Sequence, residues 1–279
     1  MVQHPPSRKP PIIIPPAKPS KNSPGTLVFL HDYNNVASVF NREPPNARSV
    51  AHHIHKSLAL QHLKIIIPEA LPCIHPTAKK NVWYNLDVPF PSAGNPDQAA
   101  EEIEIGILAS GTLARNENDM NVNMDYFESL IKTEIESGTP AKRIVFFGYS
   151  QGATMVALFL LTRKLASELG GAISLSGFSA TPIESVYRMQ RENGLEGPWS
   201  KETKLLMLQG RKDVFIPSSV FWYWMARLQG FSDRGQGIAS IKGKFVDGMG
   251  HFITADLWPH VREFLEEVVP VEQQSLPKL

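Results

Sequence analysis

Cysteine is scarce in this chain: Cys73 stands alone among 279 residues. An intramolecular disulfide is excluded, and a disulfide-stapled secreted scaffold with it. Long apolar runs are lacking as well. The opening MVQHPPSRKPPIIIPPAKPS is broken by prolines and holds only three consecutive isoleucines, against the roughly 7–15 apolar residues of a signal-peptide core. No stretch approaches the about 20 residues that span a bilayer, so integral membrane contact is not expected. Charge of one sign is missing too. Lys and Arg total 28 against 27 Asp and Glu, a formal net charge of +1. No whole-chain field then favours nucleic acid or anionic lipid as a partner. Internal repeats are absent. The expectation is a soluble, cytoplasmic protein.

What is present is enough apolar material, 42% of residues, to bury a large core. Short apolar runs at 26–31, 63–68, 143–148, 172–177, 204–210 and 241–246 read as buried strands. Helix-period stretches lie among them at 48–61, 124–137, 151–166, 219–229 and 257–269. This alternation predicts an α/β fold, a mostly parallel central sheet with helices on both faces. Residues 25–270 read as a single domain. Residues 1–24 read as a flexible Pro-rich arm and 271–279 as a flexible tail. Residues 85–118 break the rhythm; within them 87–118 reads either as a lid or as a surface excursion.

Chemistry concentrates at Gly148-Tyr149-Ser150-Gln151-Gly152. The strand-like RIVFF precedes it and a strongly apolar helical pattern follows. Gly-x-Ser-x-Gly at a strand-to-helix turn strains the serine backbone and lifts its hydroxyl above the sheet edge. A serine needs a base to become a nucleophile, and on such sheets Asp and then His follow it in the chain. Asp213 stands just past the run LLMLQG. His251 stands in the glycine-rich loop after KFV. Both fall at carboxyl ends of strands, where open sheets build sites. His260, the other histidine beyond Asp213, lies within a helical pattern. The expected roles are Ser150 as nucleophile, His251 as proton shuttle and Asp213 as its orienting carboxylate. The N–H groups of Gln151 and of a residue in the HDYNN loop after the first strand are the expected oxyanion donors.

These segments resemble the acyl-protein thioesterase / carboxylesterase (phospholipase/carboxylesterase) family of α/β-hydrolases. GYSQGA is similar to that family's Gly-Phe-Ser-Gln-Gly-Gly elbow, and GTPAKRIVFF to its approach strand. VWYNL (82–86) resembles its Ser-Trp-[Phe/Tyr]-Asp segment. QGRKDVFIP resembles its aspartate loop, and GMGH its histidine loop. The resemblance implies hydrolysis of acyl thioesters or oxyesters, including S-acylated protein, with no cofactor and no metal. It implies a role in lipid metabolism and a monomer or weak homodimer. By position it makes Tyr33 the second oxyanion donor and points to Asp32, Trp83, Tyr84, Phe178 and Phe215 as substrate contacts. One departure stands out. The family has His-Gly-x-Gly-Asp after the first strand, whereas this chain has His31-Asp32-Tyr33-Asn34-Asn35. Asn and Asp tolerate left-handed torsions, so the turn is expected to survive.

Two further functions compete with the thioesterase or carboxylesterase reading. One is a small-ester or lactone hydrolase of secondary metabolism; the other is a ligand-binding hydrolase relative without turnover. His52, His53 and His55 have no carboxylate or cysteine at ligand spacing and read as a partly exposed helix rather than a metal site. Cys73 reads as passive. The aromatic run FWYWMARL (221–228) reads as core packing, with acyl contact as the alternative.

Overall fold

The computed structural model describes residues 7–20, 23–72, 81–84, 117–179 and 181–271. Nearly all of the lid expectation at 87–118, and Cys73 with it, lies outside these residues. So does the expected tail beyond 271.

The central strands of the sheet form over the short apolar runs. In chain order the strands are β1 (Ile12–Ile14), β2 (Gly25–Leu30), β3 (Leu63–Ile67), β4 (Leu71–Pro72), β5 (Asn81–Val82), β6 (Ile144–Tyr149), β7 (Gly171–Leu175), β8 (Lys204–Gly210) and β9 (Ser240–Val246). Seven of them make one sheet, in the order β1-β3-β2-β6-β7-β8-β9. All neighbours pair in parallel except β1, which runs antiparallel to β3 with Ile12 opposite Ile67. β4 and β5 form a separate two-stranded ribbon.

The parallel core strands read as continuous apolar runs because both faces are covered. Alternate residues point to opposite sides. Leu30, Phe146 and Met207 enter one core cluster, while Phe29, Phe147 and Leu206 enter the other. Helices α2 (Glu117–Glu136), α3 (Gln151–Thr162), α4 (Ile183–Glu192) and α5 (Ser218–Asp233) supply the first cluster through Phe127, Leu158, Met189 and Trp224. Helices α1 (Val50–His55) and α6 (Leu257–Val268) supply the second through Ile54 and Val261. The mostly parallel sheet with helices on both faces, expected from the alternation, is the architecture observed, and it is the α/β-hydrolase fold that the resemblance implied. Buried Arg143 closes the domain: it donates to the carbonyl of Pro24 ahead of β2 (2.7 Å) and to that of Pro270 after α6 (2.9 Å).

Three differences from the sequence reading have physical causes. Residues 12–14 fall within the expected flexible arm yet form β1, because three β-branched residues complete an exposed sheet edge. Helix α4 has no counterpart in the sequence reading. It is short and turns only Val186 and Met189 among its larger apolar residues fully inward. The aromatic run on α5 divides as a packed helix does: Phe221 and Trp224 are buried, Trp222 and Tyr223 exposed.

Candidate active site

Strand β6 ends at Tyr149, Ser150 takes φ 53° and ψ −115°, and α3 begins at Gln151. A non-glycine residue with such torsions is strained, and strain of this kind persists only where the surroundings over-determine it. Here they do. A Cβ on Gly148 would overlap the Gly152 carbonyl, and one on Gly152 would meet the carbonyl oxygens of Leu30 and His31. The spacing of the two glycines is therefore a packing requirement of the turn. Ala153, where the family carries a second glycine, presses its methyl on the space a side chain at Gly177 would need.

The three residues expected from their order in the chain meet. His251 Nε2 lies 3.1 Å from Ser150 Oγ, and His251 Nδ1 lies 2.9 Å from Asp213 Oδ2. An ionised carboxylate only accepts, so Nδ1 carries the proton and Nε2 presents its lone pair to the serine hydroxyl. Asp213 is itself held on all sides. Its Oδ1 accepts the N–H groups of Phe215 and Ile216, both at 2.9 Å, and its Oδ2 accepts Gln209 Nε2 at 2.8 Å. The wholly buried Gln209 is a residue that reading the sequence missed. Its only signal was a polar side chain at the end of an otherwise apolar strand. Tyr149 donates its hydroxyl to the His251 carbonyl at 2.9 Å and so fixes the histidine loop. Burial first, and then the charge of Asp32, push the Tyr149 phenol upward, so it remains a donor.

The loop after β2 keeps its turn without glycine. Asn34 occupies the second glycine position at φ 54°. His31 is fully buried and burial holds it at about 4, so it is neutral. Its Nε2 accepts the Ala70 N–H at 3.2 Å, which leaves Nδ1 to donate to the Asp32 carbonyl at 2.9 Å. Asp32 is half-buried. Burial raises its pKa, and Asn35 Nδ2 donates to its Oδ1 at 2.8 Å. Tyr33 lies between these two residues in the same turn.

Trp83 and Tyr84 sit against the elbow through Gln151, whose side-chain oxygen accepts the Trp83 N–H at 2.9 Å. Its Nε2 donates to the Tyr84 carbonyl at 2.7 Å. The Trp83 indole donates to the His31 carbonyl at 2.7 Å and is wholly enclosed. Trp83 thus links the β2 loop to the elbow through hydrogen bonds. Phe178 and Phe215 both pack on Ile216 and Val220, and Phe215 lies 5.3 Å from the His251 ring. Among the described residues no group of three or more His, Cys, Asp or Glu side chains could hold a metal ion. His53 stacks flat on Trp258, and His55 Nε2 meets the Leu63 carbonyl at 2.9 Å. No helix of the described residues is long and apolar enough to cross a membrane.

The profile of the phospholipase/carboxylesterase family matches residues 108–269, more than half of the chain. The chain belongs to this family. It is an enzyme, a hydrolase of the serine type. Acyl-protein thioesterase 1 of Neurospora crassa is 26% identical over 269 residues, 95% of this chain and 94% of that protein. Two solved structures share the fold. SOBER1 of Arabidopsis thaliana superposes with a TM-score of 0.62 at 18% identity, covering 88% of this chain and 99% of that one. Acyl-protein thioesterase 2 of Zea mays does so with 0.59 at 16% identity, covering 93% and 98%. Within the phospholipase/carboxylesterase family, the loop carrying Asp32 and Asn34 is this chain's main departure from the pattern, and Ala153 at the elbow is a milder one.

Proposed function

We propose that this hydrolase cleaves acyl thioesters or carboxylic esters through an acyl-enzyme on Ser150. The observation that carries the reading is the continuous hydrogen-bonded chain from Ser150 through His251 to Asp213. Ser150 Oγ attacks the acyl carbon while His251 Nε2 takes the hydroxyl proton. Asp213 holds the ring and stabilises the imidazolium. The tetrahedral oxyanion collapses, and His251 returns the proton to the departing thiol or alcohol. Water then repeats the sequence on the Ser150 ester and releases the acid. No cofactor enters this chemistry.

The oxyanion donors are assigned to the N–H of Gln151, at the free N-terminus of α3, and to the N–H of Tyr33. The acyl tail is assigned to the apolar surface joining Phe178, Phe215, Ile216 and Val220. Asp32 is assigned to the substrate side of the β2 loop, whereas the buried Trp83 and Tyr84 hold the elbow through Gln151 rather than touch the acyl tail. All three triad side chains come from one chain, so a monomer is sufficient. The single cysteine suits a reducing compartment such as the cytoplasm. S-acylated protein is the substrate favoured by the likeness to acyl-protein thioesterases. A second reading, a small polar ester or lactone, draws on Asp32, a carboxyl beside the site that burial has shifted upward.

The test is labelling by a fluorophosphonate probe together with hydrolysis of an activated ester. Wild type should label and turn over, and Ser150→Ala should do neither while keeping its melting temperature. An unlabelled wild-type protein would leave a binding protein without turnover as the better account.

A further inference from the structure

The segment that carries Arg8 approaches the sheet from a direction that β1 dictates. β1 runs antiparallel to β3, with Ile12 opposite Ile67 and Ile14 opposite Ile65. Residues 7–11 therefore lie past the carboxyl end of β3, the same sheet edge that carries Ser150. A parallel β1 would have delivered them to the opposite edge. Arg8 arrives beside the ribbon of β4 and β5. Its Nη1 donates to the Glu69 carbonyl at 2.6 Å, and its Nη2 donates to Asn123 Oδ1 at 2.7 Å. The guanidinium lies 4.0 Å from the Tyr126 ring centroid and 5.8 Å from that of Trp83.

These contacts join a longer chain. Asn123 is fully buried and donates its Nδ2 to the Trp83 carbonyl at 2.5 Å. Trp83 N–H and the Tyr84 carbonyl grip the Gln151 side chain, and the Trp83 indole grips the His31 carbonyl. Glu69, whose carbonyl Arg8 engages, accepts the Ala37 N–H at 3.0 Å and a bond from Asn81 through its carboxylate. Arg8 thus sits at the outer end of bonds that reach both loops from which the oxyanion donors come.

We propose that Arg8 is a positioning residue for the oxyanion hole, acting through Asn123 and Trp83 on Gln151 and His31. The proposal rests on the serine-hydrolase reading above. A planar fork that bridges two acceptors sets both their distance and their angle. Lysine keeps the charge and loses the fork. Removing an oxyanion donor outright costs on the order of 10²–10³ in rate, so loosening its support should cost less, about tenfold.

The experiment compares wild type, Arg8→Met, Arg8→Lys, Asn123→Leu and the Arg8→Met/Asn123→Leu double variant on a short activated ester. Active sites are titrated with a fluorophosphonate, so that unfolded protein does not count. Arg8→Met should lower kcat about tenfold with KM nearly unchanged, because the oxyanion forms only in the transition state. Arg8→Lys should restore only part of that loss. The double variant should be no slower than the worse single variant, because both cut one chain of bonds. Wild-type kcat per titrated site in Arg8→Met would overturn the proposal, and so would strictly additive losses. Turnover by wild type that Ser150→Ala abolishes keeps the underlying reading intact in either case. Loss of that distinction would fail the reading itself.

Discussion

The elbow after β6 and the loop after β2 face each other at the same sheet edge. Each carries a non-glycine residue of left-handed φ, Ser150 at 53° and Asn34 at 54°. They reach that torsion by different means. The elbow is flanked by two glycines that leave no room for a methyl, so neighbouring backbone forces the serine into place. The β2 loop lacks both family glycines and relies on Asn34, whose residue type tolerates the torsion locally. One turn is held by packing and the other by side-chain chemistry. The first should be brittle and the second tolerant.

The largest effect expected on this comparison comes from Gly152→Ala. Helix propensity favours alanine by about 1 kcal/mol. The added methyl, however, meets the Leu30 and His31 carbonyls, and overpacking against rigid backbone costs about 1–3 kcal/mol. The clash should win. A shift of about 1 Å in the β2 loop would cost at least about a hundredfold in turnover. A Gly152→Ala enzyme with wild-type kcat and melting temperature would show that the elbow is not packed as described.

His31 gives the next effect, in stability. Its folded-state value, about 4, lies below the ordinary histidine value of 6.5. Above pH 6.5 both folded and unfolded chains hold it neutral, and its contribution is complete. As pH falls from 6.5 to about 4 the unfolded chain takes up the proton first, and stability is lost by up to about 3 kcal/mol. Urea unfolding at pH 7 and pH 4.5 should show that loss. In His31→Gln, where the group does not titrate, the difference between the two pH values should be smaller. An equal difference in both proteins would assign it elsewhere.

Asp32 should give a smaller effect. An ionised carboxylate about 8 Å from the oxyanion, at an effective dielectric of about 20, would cost about 2 kcal/mol, or roughly thirtyfold in rate. The Asn35 amide donates to the carboxylate and offsets part of its charge, so the cost should be severalfold. Asp32→Asn should raise kcat on an activated ester by that factor at pH 8. The ratio of variant to wild type should approach one as the pH falls and Asp32 protonates. A variant slower than wild type at pH 8 would mean that the carboxylate serves the substrate.

The smallest effect closes the comparison. Asn34→Gly should change stability by less than about 1 kcal/mol. It relieves the torsion, and it removes a buried side-chain oxygen that has no partner among the described residues. The cost is greater freedom in the unfolded chain. A loss as large as that of Gly152→Ala would place both turns in the same mechanical class.

Much of this was legible beforehand where local chemistry is self-sufficient. The runs at 63–68 and 204–210 became β3 and β8 with ends moved by at most one residue, because a strand covered on both faces must be apolar throughout. Ser150, Asp213 and His251 could be picked out because each follows a strand run, and parallel strands deliver their ends to one edge. Gln209 was hidden, since a glutamine before a turn resembles any other until the aspartate four residues on folds back to it. Arg8 was hidden by its setting among prolines.

By itself the sequence determined the six parallel strands of the sheet and most of the helices between them, and which three residues stand at strand ends in the order Ser, Asp, His. Periodicity and turn chemistry are properties of neighbours in the chain, so the chain displays them. Only the tertiary structure decided that β1 runs antiparallel and that Trp83 links two loops through Gln151 and His31. The strand pairing and the Trp83 bonds join residues 51 to 68 positions apart. Their contact free energies exist only once the sheet has brought them together.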